Sequence, residues 1–103
     1  MVHILLAHLS KAYAIILVTG RPEECRSLTL DWLARFGIIA PDDCLFMRAN
    51  GDYRPDEIVK REIYERFIMP RLNVRLVVDD RDRVVKMWRS LGLECWQVAE
   101  GDF

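Results

Sequence analysis

The sequence of 103 residues has few of the residues that mark specialised protein classes. Only five Gly and four Pro occur, which excludes a collagen-like or low-complexity chain. The three cysteines, Cys25, Cys44 and Cys95, are odd in number and lack paired ligand spacing, which argues against a disulfide scaffold or zinc cluster. A Gly-x-x-x-x-Gly-Lys-Ser/Thr phosphate loop is also missing, so no kinase of that class is indicated within these residues. We expect a protein of a reducing cytoplasm.

Charge and hydropathy exclude two further classes. The formal net charge is only -1, so no global basic field attracts nucleic acid, and any phosphate site must be local. The apolar stretch 1–18 is interrupted by His3, His8, Ser10 and Lys11, which argues against a signal peptide and a membrane span. With 51% hydrophobic and 30% charged residues, the chain reads as one globular domain, residues 1–103, without a membrane partner.

Periodicity predicts strands and helices in strict alternation. Apolar spacing predicts a helix over 2–9, and short apolar runs predict strands over 14–18, 44–47, 74–78 and 93–98. Three further helices are expected: one from Pro22 to Gly37, one from Pro55 to before Pro70, and one ending at Gly92. Such alternation predicts a parallel, Rossmann-like α/β sheet with helices on both faces. The spacing of Trp32, Trp88 and Trp96 favours core packing over base stacking.

Ligands of such sheets bind beyond the carboxyl ends of the strands, which directs attention to the residues after each apolar run. Asp79 and Asp80 follow the third run, and adjacent carboxylates are natural ligands for magnesium, which takes one or two of them. The alternative is structural: Asp79 ends the strand, and Asp80 caps the next helix. Local sequence does not decide between the two.

A second group of residues could bind phosphate. Thr19 and Gly20 offer a hydroxyl and an unhindered amide near a helix start, and Arg21 could grip phosphate in a bidentate manner. The alternative is a simple turn with a surface Arg. Lys60 could add a cation, although a helical Lys is usually just solvated. Arg48 and Arg54 could reach substrate phosphates or be surface charges.

The order Thr-Gly-Arg, Lys60, Asp-Asp resembles the second to fourth motifs of haloacid dehalogenase-like phosphohydrolases. The segments 51–56, 78–81 and 87–89, and especially Glu94-Cys95-Trp96-Gln97-Val98-Ala99 with Gly101-Asp102-Phe103, resemble the phosphatase half of phage polynucleotide kinase/3'-phosphatases. The likeness covers essentially the whole chain. It implies that Thr19, Gly20, Arg21 and Lys60 bind the transferring phosphate. It also implies that Asp79 and Asp80 hold magnesium, with Lys60, Asp79 and Asp80 forming the catalytic set.

The chain departs from the family pattern in its first motif. Family members carry an aspartate nucleophile and a second aspartate two residues later, on a strand that precedes everything recognised here. No Asp precedes Asp31 in this sequence, and neither Asp31 nor Asp42-Asp43 follows a buried strand. The resemblance therefore implies a chain truncated at its amino end, without a nucleophile.

The absent strand would lie at the centre of the sheet, between the strands ending at Val18 and Val78. Without it, both strands would expose unpaired backbone groups at their edges, which costs free energy of folding. We therefore expect these two strands to pair directly, chains to self-associate, or an amino-terminal segment to complete the sheet. The expected function is the carboxyl-terminal part of a magnesium-dependent polynucleotide 3'-phosphatase acting on DNA or RNA ends, inactive alone. The alternative is a non-catalytic domain that binds phosphate or nucleic-acid ends.

Overall fold

The computed structural model describes residues 2–6, 15–37, 44–99 and 101–102. The strands are β1 (Val2–Leu6), β2 (Ile15–Pro22), β3 (Leu45–Arg48), β4 (Val77–Asp79) and β5 (Cys95–Gln97). The helices are α1 (Arg26–Arg35), α2 (Asp56–Ile63) and α3 (Asp82–Ser90). A 3-10 turn, Glu23–Cys25, leads into α1, and a π-helical turn, Tyr64–Ile68, continues α2. The predicted alternation is confirmed from β2 onward. Leu9, Ala14, Asp42 and Asp43 lie outside the described residues.

The first element differs from the sequence prediction. Residues 2–6 form a strand, not a helix, and β1 pairs antiparallel with β2, with Ile4 opposite Leu17. The expectation of a purely parallel sheet is therefore wrong for β1, whereas β2–β3 and β4–β5 are parallel as predicted. Periodicity does not distinguish a helix from a strand in such a short apolar run. Residues 2–6 are extended because a strand can pair with the backbone N–H and C=O groups at the edge of β2, which a helix would leave unpaired.

Strand β1 also decides how the two halves of the molecule meet. Within the described residues, hydrogen-bonded ladders join β1-β2-β3 and, separately, β4-β5. The backbone of β1 lies alongside β4 as well as β2. Direct pairing of the strands ending at Val18 and Val78 is thus not what the structure shows, since β1 lies between them.

Alternating side chains of β2 divide the core into two layers. Ile16 and Val18 belong to the larger cluster, to which α2 and α3 contribute Val59, Val84 and Trp88 among others. Leu17 points to the opposite face and packs with Leu33 of α1 and with Leu45 and Met47 of β3. Because successive residues of a strand face opposite ways, α1 covers one face and α2 and α3 the other, as predicted.

The packing corrects one sequence prediction and agrees with another. Trp88 is buried as expected, but Trp32 and Trp96 are 42% and 58% exposed, so their helical and strand spacing did not place them in the core. Gly37 and Gly92, the glycines at which the sequence predicted the ends of these helices, follow α1 and α3 with left-handed φ values of 76° and 82°. No helix in the described part of the chain is long and apolar enough to cross a membrane.

The register of β1 can be tested by cross-linking. Leu6 lies opposite Ile15 in the antiparallel pair, and Cα atoms of directly opposed residues are about 4.5–5.5 Å apart, within reach of a disulfide. In a background with the three native cysteines changed to Ala, we expect Leu6→Cys/Ile15→Cys to oxidise readily, measured by a non-reducing mobility shift. The matched control is His3→Cys/Ile15→Cys, displaced by roughly 10 Å along the strand. Equal oxidation of both pairs would contradict the register.

Candidate functional site

The candidate site lies where β2, β3 and β4 end and α2 begins. Thr19, Gly20 and Arg21 lie on the last part of β2, Arg48 ends β3, and Asp79 ends β4. Lys60 lies one turn inside α2. Parallel strands bring these ends to one edge, which is why residues far apart in sequence meet here. The sequence analysis predicted this meeting from strand order alone.

Lys60 is the buried centre of the site. Its side chain is 0% exposed, so the interpretation as a solvated surface lysine is wrong for this structure. The ammonium Nζ lies 3.4 Å from Asp79 Oδ2 and 3.4 Å from Asp56 Oδ2. A buried ammonium is stable only when carboxylates compensate the lost hydration, and here one carboxylate comes from the same helix and one from β4.

Asp56 connects the parts of the site, and the sequence analysis gave it no role. Its carboxylate is buried, with Oδ2 also 3.7 Å from Arg81 Nη1 and Oδ1 3.5 Å from Arg48 Nη2. Gly20 lies against it so closely that any Cβ at position 20 would collide with Asp56 Oδ1. The available signal was an acidic residue in the first turn of α2, four positions before Lys60, a spacing that pairs side chains on one helix face.

Asp79 and Asp80 have different surroundings. Asp79 Oδ2 accepts hydrogen bonds from Lys60 Nζ at 3.4 Å and Trp88 Nε1 at 3.2 Å. Asp79 Oδ1 accepts from the backbone N–H groups of Asp80, at 2.8 Å, and Arg81, at 3.4 Å. Both Asp79 oxygens are therefore engaged by donors of the protein itself. Asp80 is also buried, and it does not cap α3, because the cap position belongs to Arg81.

The fit of magnesium to this edge depends mainly on Asp80. Within the described residues, no group of three or more His, Cys, Asp or Glu side chains forms a ready cage for a metal ion. Magnesium usually takes only one or two protein carboxylates, with water and phosphate completing its shell, so Asp80 fits this requirement. The four hydrogen bonds to Asp79 favour a role in fixing Lys60 and the backbone after β4. A direct contact between Asp79 and magnesium stays a prediction.

The Thr19–Arg21 segment is extended rather than the turn that the sequence predicted. β2 continues through Pro22, so the amides of this segment precede the 3-10 turn and do not open a helix. Thr19 is fully buried, and its Oγ1 accepts a hydrogen bond from Arg21 N at 3.2 Å. The Arg21 side chain makes no ion pair or hydrogen bond to other residues that the structure describes.

Arg48 and Arg54 are held by the protein itself. Arg48 donates from Nε to Gly20 O at 2.7 Å and from Nη1 to Asp52 O at 3.0 Å and Arg54 O at 2.5 Å. Arg54 pairs with Asp52 and Glu62, each at 2.7 Å. The hydrogen bond from the Arg54 side chain is the main reason that the pKa of Asp52 is lowered to about 2. These bonds give both arginines a part in shaping the loop 49–55.

Comparisons with known proteins identify the family of this chain. A family model described as the polynucleotide kinase PNKP phosphatase domain matches residues 1–103. A protein of Autographa californica nuclear polyhedrosis virus, named "Putative bifunctional polynucleotide kinase/RNA ligase", is 34% identical over 77 residues. That match takes in 75% of this chain and 11% of the viral protein.

Solved structures of Pnkp1 complexes are also similar to this chain. The Pnkp1/Rnl/Hen1 RNA repair complex and a second Pnkp1/Rnl/Hen1 complex each contain a chain that is 40% identical, with a TM-score of 0.78. The similarity covers 84% of this chain and 27% and 30% of the matched chains, so this chain spans less than a third of their length. The resemblance inferred from the motifs is confirmed, and the chain belongs to the polynucleotide kinase PNKP phosphatase domain family.

Proposed function

We propose that this chain supplies the phosphate-binding and carboxylate residues of a polynucleotide 3'-phosphatase and binds the 3'-phosphorylated end of a DNA or RNA strand. The observation that carries the proposal is the buried Lys60, fixed between Asp56 and Asp79 at the strand ends where Gly20 and Arg21 lie. Preorganised cations and amides at such an edge favour phosphate oxygens. Family membership and the naming of relatives for polynucleotide kinase and RNA repair support the substrate class.

Each residue has a distinct part in this proposal. Arg21 presents a guanidinium without a partner among the described residues, which suits two parallel hydrogen bonds to phosphate oxygens. Gly20 lets the phosphate approach the backbone, because its lack of a side chain leaves the Asp56 carboxylate undisturbed. Lys60 supplies positive charge from beneath the site. Asp56 holds Lys60 and Arg81 in place through the contacts of its Oδ2.

Magnesium is part of the proposal through Asp80. Bound there, it would neutralise phosphate oxygens and thereby lower the cost of charge that builds up during transfer. Asp79 would act beside it by holding Lys60 and the amides of Asp80 and Arg81. Asp79 and Asp80, although adjacent in the sequence, would thus have different roles.

The 103 residues by themselves are proposed to bind without hydrolysing. The resemblance implies an aspartate nucleophile on a central strand, yet no Asp precedes Asp31, which lies exposed on α1. β1, with the sequence VHILL, lies between β2 and β4 and carries no carboxylate. A residue able to attack phosphorus and one able to protonate the leaving oxygen are both needed for turnover.

A second candidate is a domain that binds nucleic-acid ends, or a protein partner, without any catalytic role. The observation that favours it is that the solved relatives are parts of multi-protein complexes. The two candidates differ in what an added Asp-x-Asp strand peptide does. Phosphate release that appears only with the peptide supports the phosphatase, whereas binding without release in either condition supports the end-binding domain.

Binding of a 3'-phosphate provides the main test. We expect a fluorescein-labelled oligonucleotide ending in 3'-phosphate to bind about 10- to 100-fold more tightly than its 3'-hydroxyl form, the range for charge-assisted hydrogen bonds. Arg21→Ala should remove most of this preference, measured by fluorescence anisotropy with magnesium present. Arg35→Ala, which changes an exposed arginine in the last turn of α1, is the matched control and should keep it.

Two results would count against the proposal. Equal affinity for the 3'-phosphate and 3'-hydroxyl oligonucleotides would show that the site does not recognise phosphate. Phosphate release by the purified chain that disappears in Asp80→Ala would show that a nucleophile exists among these residues, and the proposed inactivity would then be wrong.

A second experiment should distinguish the roles of the two adjacent aspartates, Asp79 and Asp80. Asp79→Asn breaks a buried ion pair with Lys60, so the free energy of unfolding should fall by about 3–5 kcal/mol. Asp80→Asn should cost less stability but abolish the gain in oligonucleotide affinity that magnesium gives. Thermal unfolding and anisotropy with magnesium or EDTA measure the two effects, with the exposed Asp102→Asn as control. A larger loss of stability in Asp80→Asn than in Asp79→Asn would refute the proposal that Asp79 is the residue that holds Lys60.

A further inference from the structure

Tyr53 is the most exposed large hydrophobic side chain among the described residues, at 94%. It lies in the loop 49–55 that joins β3 to α2. The ring lines a cleft of about 330 Å³ together with Gly20, Pro22 and Arg48. This volume is at the lower end for small-molecule sites. Tyr53 therefore shares a cleft with the glycine that adjoins Arg21 and Asp56, although the phosphate site itself does not use it.

The loop that carries Tyr53 is held on both sides of the ring. Arg48 donates to the carbonyl oxygens of Asp52 and Arg54, which flank Tyr53 in sequence. Asp52 Oδ1 accepts from the backbone N–H of Arg54 at 3.1 Å and from Arg54 Nε at 2.9 Å. The hydrogen bond from the Arg54 side chain is also the main cause of the lowered pKa of Asp52. A fixed backbone displays the ring, so little conformational entropy is lost when a ligand contacts it.

The chemistry of the cleft suits a neutral aromatic ligand better than a second phosphate. Arg48 and Arg54 also line the cleft. Their guanidinium groups already donate hydrogen bonds to carbonyl and carboxylate oxygens of the protein. Glu24 adds a negative charge to the lining. Tyr53 adds an exposed aromatic side chain to this lining. Aromatic side chains stack on any nucleobase, because every base has a π face.

We propose that Tyr53 is a stacking platform for the nucleobase at the 3' end of the bound strand, the base of the nucleotide whose phosphate lies against Gly20 and Arg21. The inference rests on the proposed function and adds to it a contact with the nucleoside. It makes the preferred ligand a 3'-phosphorylated strand whose last nucleotide has an intact base, rather than a phosphomonoester of any kind.

The experiment compares three oligonucleotides of one sequence, labelled at the 5' end, by fluorescence anisotropy. One ends in a 3'-phosphorylated adenosine, one in a 3'-phosphorylated abasic residue and one in a 3'-hydroxyl adenosine. We expect Tyr53→Ala to weaken binding of the first about 5- to 100-fold, the range for loss of one base–aromatic stack. Binding of the abasic oligonucleotide should change less than about twofold, and Tyr53→Phe should keep the stack.

The matched control is Phe36→Ala, which removes another exposed aromatic ring, after the end of α1 and outside the cleft lining. It should leave all three affinities unchanged. Unaltered binding of the adenosine 3'-phosphate oligonucleotide by Tyr53→Ala would overturn the stacking inference while the phosphate preference stands. An equal loss of affinity for the abasic oligonucleotide in Tyr53→Ala would also overturn the stacking inference. Equal binding of 3'-phosphate and 3'-hydroxyl forms by the unsubstituted chain would instead defeat the proposed function itself.

Discussion

The burial of a charged ammonium is the constraint on which the rest of the site depends. Lys60 is withdrawn from water, and a single charge in such surroundings is costly unless carboxylates lie beside it. Asp56 comes from the same helix, whereas Asp79 comes from β4, so the ion pairs join α2 to the end of a strand 19 residues away in sequence. Arg48 and Arg81 extend the same network through Asp56. Local charge balance therefore also fixes the relative position of three elements.

A second constraint is the need to pair sheet edges. Two parallel ladders, β2–β3 and β4–β5, each present an edge towards the other half of the molecule. Unpaired strand edges are costly in isolation and invite association. β1 lies in this space, pairing with β2 and running beside β4. It brings neutral apolar residues and a histidine to the place where the resemblance implies a strand bearing carboxylates.

These two constraints together hold the strand ends of the candidate site in place. The buried charges and the loop 49–55, tied through Arg48, give the strand ends a defined shape. Gly20 and Tyr53 both line the cleft at these strand ends, and Arg21 follows Gly20 in sequence. Under the proposed function, recognition of a ligand would depend on these preformed groups, and phosphate release would depend on a nucleophile.

The order of elements from β2 to β5, the presence of helices on both faces of the sheet, and the placement of Thr19 and Asp79 near the carboxyl ends of strands could all be predicted from the sequence. This was possible because apolar periodicity, turn glycines and the placement of polar residues after strands are local signals. That residues 2–6 form a strand could not be predicted locally, because this conformation depends on pairing with β2, a partner that lies elsewhere in the sequence. Only the tertiary structure decided that Asp56 joins the site and that Asp79 is engaged by Lys60 and Trp88. Such roles follow from which charges are buried together, and burial is a property of the packed molecule rather than of any local stretch.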